Sequence, residues 1–196
     1  MKNLLQKSLV FAVLCIAALS MQAQTEKGRL MVGANFNNLH LNLNESFTQV
    51  SVSAAPTLGK FVADNLAVGA RLGIGFGTYR DPFRNYKNTG FHVSTGAFAR
   101  YYIPVSKRIM PFVDLETGIG KGFSNTNGRN FDMTWAYGQA SAGAAFFLSP
   151  HASIDLSLGY RASTVLDNAA FANVSGGLRG TIGFNFYLPT GKRKLE

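Results

Sequence analysis

Seven charged residues, Arg71, Arg100, Asp114, Glu116, Asp155, Arg161 and Arg179, lie on the polar side of segments in which apolar and polar residues alternate. Ions of both signs on one enclosed face must pair, because a buried charge without a partner is strongly destabilising. Counting outward from the short link after Pro104 sets Arg100 opposite or diagonal to Asp114, and an ion-pair ladder is predicted there. The same count across the last long link brings Arg161 near Arg179. Two neighbouring guanidinium groups in a low-dielectric interior call for a shared anion or carboxylate. Glu116 reaching across, or Glu45 or Asp132 folding in from a connection, is expected to supply it. Such a network either plugs the space it fills or opens it by exchanging partners.

His92 and Ser94 share a face near one end of their segment, the base and nucleophile that lipid hydrolysis could use. Both face the polar side, and no Asp or Glu is an obvious third member. They are read as space-filling polar residues, with lipid hydrolysis as the lesser alternative and no catalytic residue expected. His40, His92 and His151 fall on separate segments without a close ligand pair, so no metal is expected. The glycine-rich Gly69 to Gly77 run lacks the strand-to-helix turn and the following Lys-Ser or Lys-Thr of a nucleotide loop. No cofactor is expected.

Eight segments must position these side chains: Gly28 to Asn38, Thr48 to Lys60, Leu66 to Thr78, Phe91 to Ile103, Met110 to Phe123, Thr134 to Leu148, Ser153 to Thr164 and Val174 to Leu188. The third is the clearest, with Val68, Ala70, Leu72, Ile74 and Phe76 against Gly69, Arg71, Gly73, Gly75 and Gly77. A soluble barrel turns its apolar residues inward and needs a charged exterior; here the polar face is rich in glycine and serine, and Lys and Glu are scarce in the segments. The polarity therefore predicts an all-β, eight-stranded antiparallel up-and-down transmembrane barrel, apolar side to lipid and small polar side to the lumen.

Short links around Phe61 to Asn65, Pro104 to Arg108 and Ser149 to Ala152 alternate with longer ones at Leu39 to Phe47, Tyr79 to Gly90, Ser124 to Met133 and Val165 to Asn173. That is the turn-and-loop pattern of outer-membrane barrels, with both termini in the periplasm. Aromatics are expected to form two interfacial girdles: Phe61, Tyr101, Tyr102, Phe112, Phe146, Phe147 and Tyr187 below, with Phe36, Phe76, Tyr79, Phe91, Phe123 and Trp135 above. Tyr79, Arg80, Phe83, Arg84, Tyr86 and Lys87 make the most aromatic and basic loop, the candidate contact for a surface ligand.

Lys2 and Lys7 precede an apolar run that ends near Ala23, which reads as a secretory signal peptide over residues 1–23, with a cut after Ser20 as the alternative. Residues 24–188 form the barrel and 189–196 a short basic tail, of which Leu195 and Glu196 are read as either native or a fusion scar. The one cysteine, Cys15, belongs to the leader, so the mature chain carries no disulfide. The formal charge of +9 sits partly in turns and tail, facing anionic headgroups rather than nucleic acid.

The stretches PTLGKFVADNLAVGA at Pro56–Ala70, ARYYIP at Ala99–Pro104, PFVDLETGIG at Pro111–Gly120 and FFLSP at Phe146–Pro150 resemble small outer-membrane barrels of the OmpA transmembrane and OmpX type. The resemblance covers most of the mature chain and implies residence in the outer membrane of a diderm bacterium. It implies a non-enzymatic role in envelope integrity, adhesion or defence. Expected partners are outer-membrane lipids including lipopolysaccharide, a surface ligand at the external loops, and the chaperone and barrel-assembly machinery during biogenesis. A monomer with a plugged lumen is expected, with a narrow small-solute channel as the alternative.

Overall fold

Period-two alternation gives each segment one apolar face, while every strand edge carries backbone donors and acceptors that must also be satisfied. In the computed structural model, which describes residues 25–43, 48–166 and 174–190, closure meets both demands. The strands are β1 (Leu30–Leu43), β2 (Thr48–Ala63), β3 (Leu66–Asp81), β4 (Tyr86–Tyr102), β5 (Ile109–Thr126), β6 (Arg129–Ser149), β7 (Ala152–Val165) and β8 (Val174–Leu188). Each pairs antiparallel with the next, and β1 returns to β8 from Leu30↔Leu188 to Phe36↔Ile182. The leader, Glu45 and the tail from residue 191 lie outside the described residues.

The apolar face points outward. Val68, Leu72 and Ile74 are 36%, 49% and 41% exposed, whereas Arg71 between them is 5% exposed. A cation placed among the lipid-facing residues loses its hydration, so Leu72→Arg is expected to cost about 2–4 kcal/mol. Equilibrium urea unfolding in lipid vesicles measures it; a neutral result contradicts the outward assignment.

Two features differ from the sequence reading. The strands are longer than a membrane crossing requires, with β6 running 21 residues. The predicted loop Tyr79 to Gly90 is a hairpin whose pairing continues to Asp81↔Tyr86, and Ser124 to Met133 closes at Thr126↔Arg129. Asn127 and Gly128 make that second turn with φ of 48° and 85°, the left-handed pair a two-residue hairpin needs. Beyond the apolar band a strand needs no apolar face, so hydrophobic alternation stops while backbone pairing continues.

The aromatic girdles are the other difference. Phe61, Tyr102, Phe112, Phe147 and Tyr187 are buried inside the barrel with Met31, not at its lipid interface. Tyr101 and Tyr102, like Phe146 and Phe147, are adjacent in sequence and therefore point to opposite faces. Tyr101 and Phe146 remain outside, as do Phe36, Phe76, Phe91 and Phe123. Trp135 turns inward against His92, with ring centroids 6.1 Å apart.

Candidate functional site in the barrel lumen

The floor of the lumen is aromatic. Tyr187 lies against Phe147 and Phe61, with centroids 5.2 and 6.1 Å away, and Tyr102 packs on Phe61 and Phe112 at 5.9 and 5.8 Å. Tyrosines buried here need partners for their hydroxyls. The two Oη atoms are 3.1 Å apart, and Ser153 Oγ stands 3.0 Å from that of Tyr187. Residues 25–29 run beneath this end, where Gly28 N donates to the Phe61 carbonyl and Asn65 N to that of Thr25.

An ionic layer rests on the floor. Register places Arg100 opposite Asp114 across β4 and β5, and Arg100 Nε donates to Asp114 Oδ2 at 2.8 Å. Arg71 from β3 reaches the same carboxylate with both terminal nitrogens, at 2.9 and 2.6 Å, and Glu116 Oε2 at 2.6 Å. Arg100 Nη1 crosses the lumen to Asp155 Oδ2 at 2.5 Å. Asp155 also accepts from Ser153 Oγ and Asn185 Nδ2. Arg100 lies over the Phe112 ring and Arg71 over Phe98, at 4.0 and 4.1 Å, so the ions join the aromatic floor through their flat faces. At the level of this layer lies a cavity of about 20 Å³, lined by Asn35, Arg71, Glu116, Gln139 and Thr181 among others.

Arg161 and Arg179 stand apart from that network. Arg161 pairs with Gly177 and Arg179 with Gly159, which sets the two arginines diagonally on neighbouring strands. Arg161 stacks on Tyr137 at 3.5 Å. Among the described residues, no carboxylate forms an ion pair with either arginine, which corrects the expectation for two of its three candidates. Glu116 is held by Arg71 through one oxygen and accepts the Tyr137 hydroxyl at 2.7 Å through the other. Asp132 pairs with Lys121 at 3.5 Å. Glu45 lies outside the described residues.

His92 and Ser94 line the same outer lumen, in a cavity of about 490 Å³ with Trp135, Arg161 and Arg179. Glycines make room for the two large rings: a Cβ on Gly75 would lie 2.1 Å from His92 Cε1, and one on Gly120 2.5 Å from the Trp135 ring. Among the described residues, no carboxylate hydrogen-bonds the His92 ring. Among the described residues no group of three His, Cys, Asp or Glu could hold a metal ion.

The basic and aromatic hairpin is ordered by its own contacts. Tyr79 and Tyr86 meet edge to face at 5.8 Å, and Asp81 Oδ1 accepts from the backbone N–H groups of Phe83 and Arg84. Phe83 and Arg84 project from its tip, Phe83 79% exposed. Arg80 and Lys87 pair across the hairpin.

Sequence reasoning missed Tyr137 as a lumen residue and placed Trp135 and Tyr187 in the girdles. The available signal was parity: Tyr137 and Trp135 share a face with Gln139 and Ser141, and Tyr187 with Asn185.

The family described as outer membrane protein beta-barrel domain matches residues 9–186. No curated protein matches the chain. Among solved structures, the N-terminal beta-barrel domain of Pseudomonas aeruginosa OprF is similar at 14% identity, covering 83% of this chain and 98% of that one, with a TM-score of 0.51. Neisserial surface protein A is similar at 15% identity, covering 82% and 96%, with a TM-score of 0.47. OprG of Pseudomonas aeruginosa is similar at 12% identity, covering 85% and 98%, with a TM-score of 0.48.

Proposed function

Because the chain belongs to the outer membrane protein beta-barrel domain family, and is thus an outer-membrane β-barrel, we propose that it acts as a plugged, non-enzymatic barrel working through its external hairpins. Export on the cleaved leader over residues 1–23 belongs to this reading. One observation carries it: the aromatic floor and the ion-paired layer leave a cavity of only about 20 Å³ at mid-lumen. Opening it requires breaking buried ion pairs, of which Arg71–Asp114 is bidentate, and such pairs are costly to separate.

With the lumen closed, contact with the surroundings falls to the hairpins. Phe83 and Arg84 at the tip, with Tyr79, Arg80, Tyr86 and Lys87 below them, combine aromatic area and cationic charge, which suits a surface ligand or the anionic sugars and phosphates of lipopolysaccharide. Barrel-assembly and chaperone proteins are its partners only during biogenesis, and the finished barrel is a monomer. Insertion of the purified chain into planar lipid bilayers is expected to give no resolved single-channel steps. Regular steps in the wild-type chain contradict the plug and favour the channel reading.

A further inference from the structure

The lumen charges do not balance locally. Among the described residues, four lumen arginines, Arg71, Arg100, Arg161 and Arg179, stand with three lumen carboxylates, Asp114, Glu116 and Asp155, all engaged by Arg71 or Arg100. Arg161 and Arg179 lie within electrostatic reach of each other and of His92. Glu116, which lines one small cavity with Arg161, has both oxygens committed. Two cations held together without a counter-charge are mutually destabilising, the more so where protein walls lower the dielectric.

The space beside them has the size and lining of a binding site. It measures about 490 Å³, within the range of small-molecule pockets. Ser163 and Ser175 add hydroxyls 3.1 Å apart, and Trp135 and Met133 supply an apolar wall. Guanidinium groups match the paired oxygens of phosphate by bidentate hydrogen bonds. A second cavity of about 650 Å³, also lined by His92 and Trp135, reaches to Thr78, Tyr79 and Asn88 near the external end.

We propose that Arg161 and Arg179 form an oxyanion site in the outer lumen that takes the phosphate group of a small solute or of a membrane headgroup. The phosphate sits between the two guanidinium groups, and the rest of the ligand lies against Trp135 and Met133. The site exists whether or not the lumen below conducts, so it and the plug stand or fall by separate measurements.

Trp135 is the only tryptophan in the chain and lines the cavity, so its fluorescence reports the site directly. The test uses the folded full barrel in detergent, titrated with inorganic phosphate, glucose 6-phosphate or glucose at constant ionic strength set with chloride. Expected is a saturable change with both phosphates and none with glucose, with Arg161→Gln and Arg179→Gln each weakening the affinity at least tenfold. If a headgroup supplies the phosphate, Trp135 emission is already shifted in nanodiscs containing lipid A relative to nanodiscs of the phosphate-free digalactosyl diacylglycerol, soluble phosphate adds little there, and the shift is lost in both variants. Should a variant fold poorly, the wild-type urea midpoint is read instead, and it rises with phosphate but not with chloride. The proposal is overturned if neither soluble phosphate nor lipid A moves Trp135 emission or the midpoint, or if the response persists in both folded variants.

Discussion

Asp114→Ala is expected to destabilise the folded barrel by about 3–5 kcal/mol, the range for removing one partner from a buried ion pair. Asp114 is 2% exposed and is the carboxylate that both Arg71 and Arg100 share. Without it, Arg71 keeps Glu116 and Arg100 keeps Asp155 as the one anionic partner of each among the described residues, while two guanidinium groups remain enclosed. Asp114→Asn separates charge from shape, since the amide fills the same space and still accepts one hydrogen bond. Its cost is expected to lie below that of alanine. Urea midpoints in lipid vesicles, followed by the fluorescence of Trp135, measure both; a loss under about 1 kcal/mol for alanine, the scale of an exposed pair, contradicts a load-sharing ionic layer.

Tyr187→Ala is expected to cost a similar amount, about 3–5 kcal/mol, as large aromatic truncations in packed cores do. The side chain is 0% exposed and touches rings from three other strands, Phe61, Tyr102 and Phe147. Its removal opens a cavity in the floor and strands the hydroxyls of Tyr102 and Ser153 that met its own. Tyr187→Phe keeps the ring and loses only the hydroxyl contacts, at a cost of about 1–3 kcal/mol for buried groups left without a partner. Near-equal midpoints for phenylalanine and alanine would show that the hydroxyl network, not ring packing, secures this end.

Strand number, facing and most of the register were legible because lipid on one side and a cramped lumen on the other impose strict alternation between Gly28 and Leu188. The facing of Arg100 and Asp114 follows from counting across one short link, a local operation. The partners of Arg161 and Arg179 were not legible in that way. They depend on which side chains cross the lumen, and Glu116 is drawn away by Arg71 on β3 and Tyr137 on β6. The aromatics near the short turns carried a usable signal that height along the strand obscured: Tyr102 and Tyr187 share the parity of Arg100 and Asn185. The hairpins were the least legible part, since wetting on both faces erases the pattern that marks a strand.

Those tall hairpins change the thermodynamics of any encounter at their tips. About 10 tilted residues cross the hydrocarbon, so part of the 16-residue β3 and the 17-residue β4, and more of the 21-residue β6, stands clear of it as paired sheet. A pillar already fixed by its own ladder surrenders little chain entropy when something docks on its tip, unlike a floppy loop that must first be ordered. The same stiffness denies a protease the extended, unpaired backbone it needs, and it holds Phe83 and Arg84 at constant height at the tip of β3 and β4.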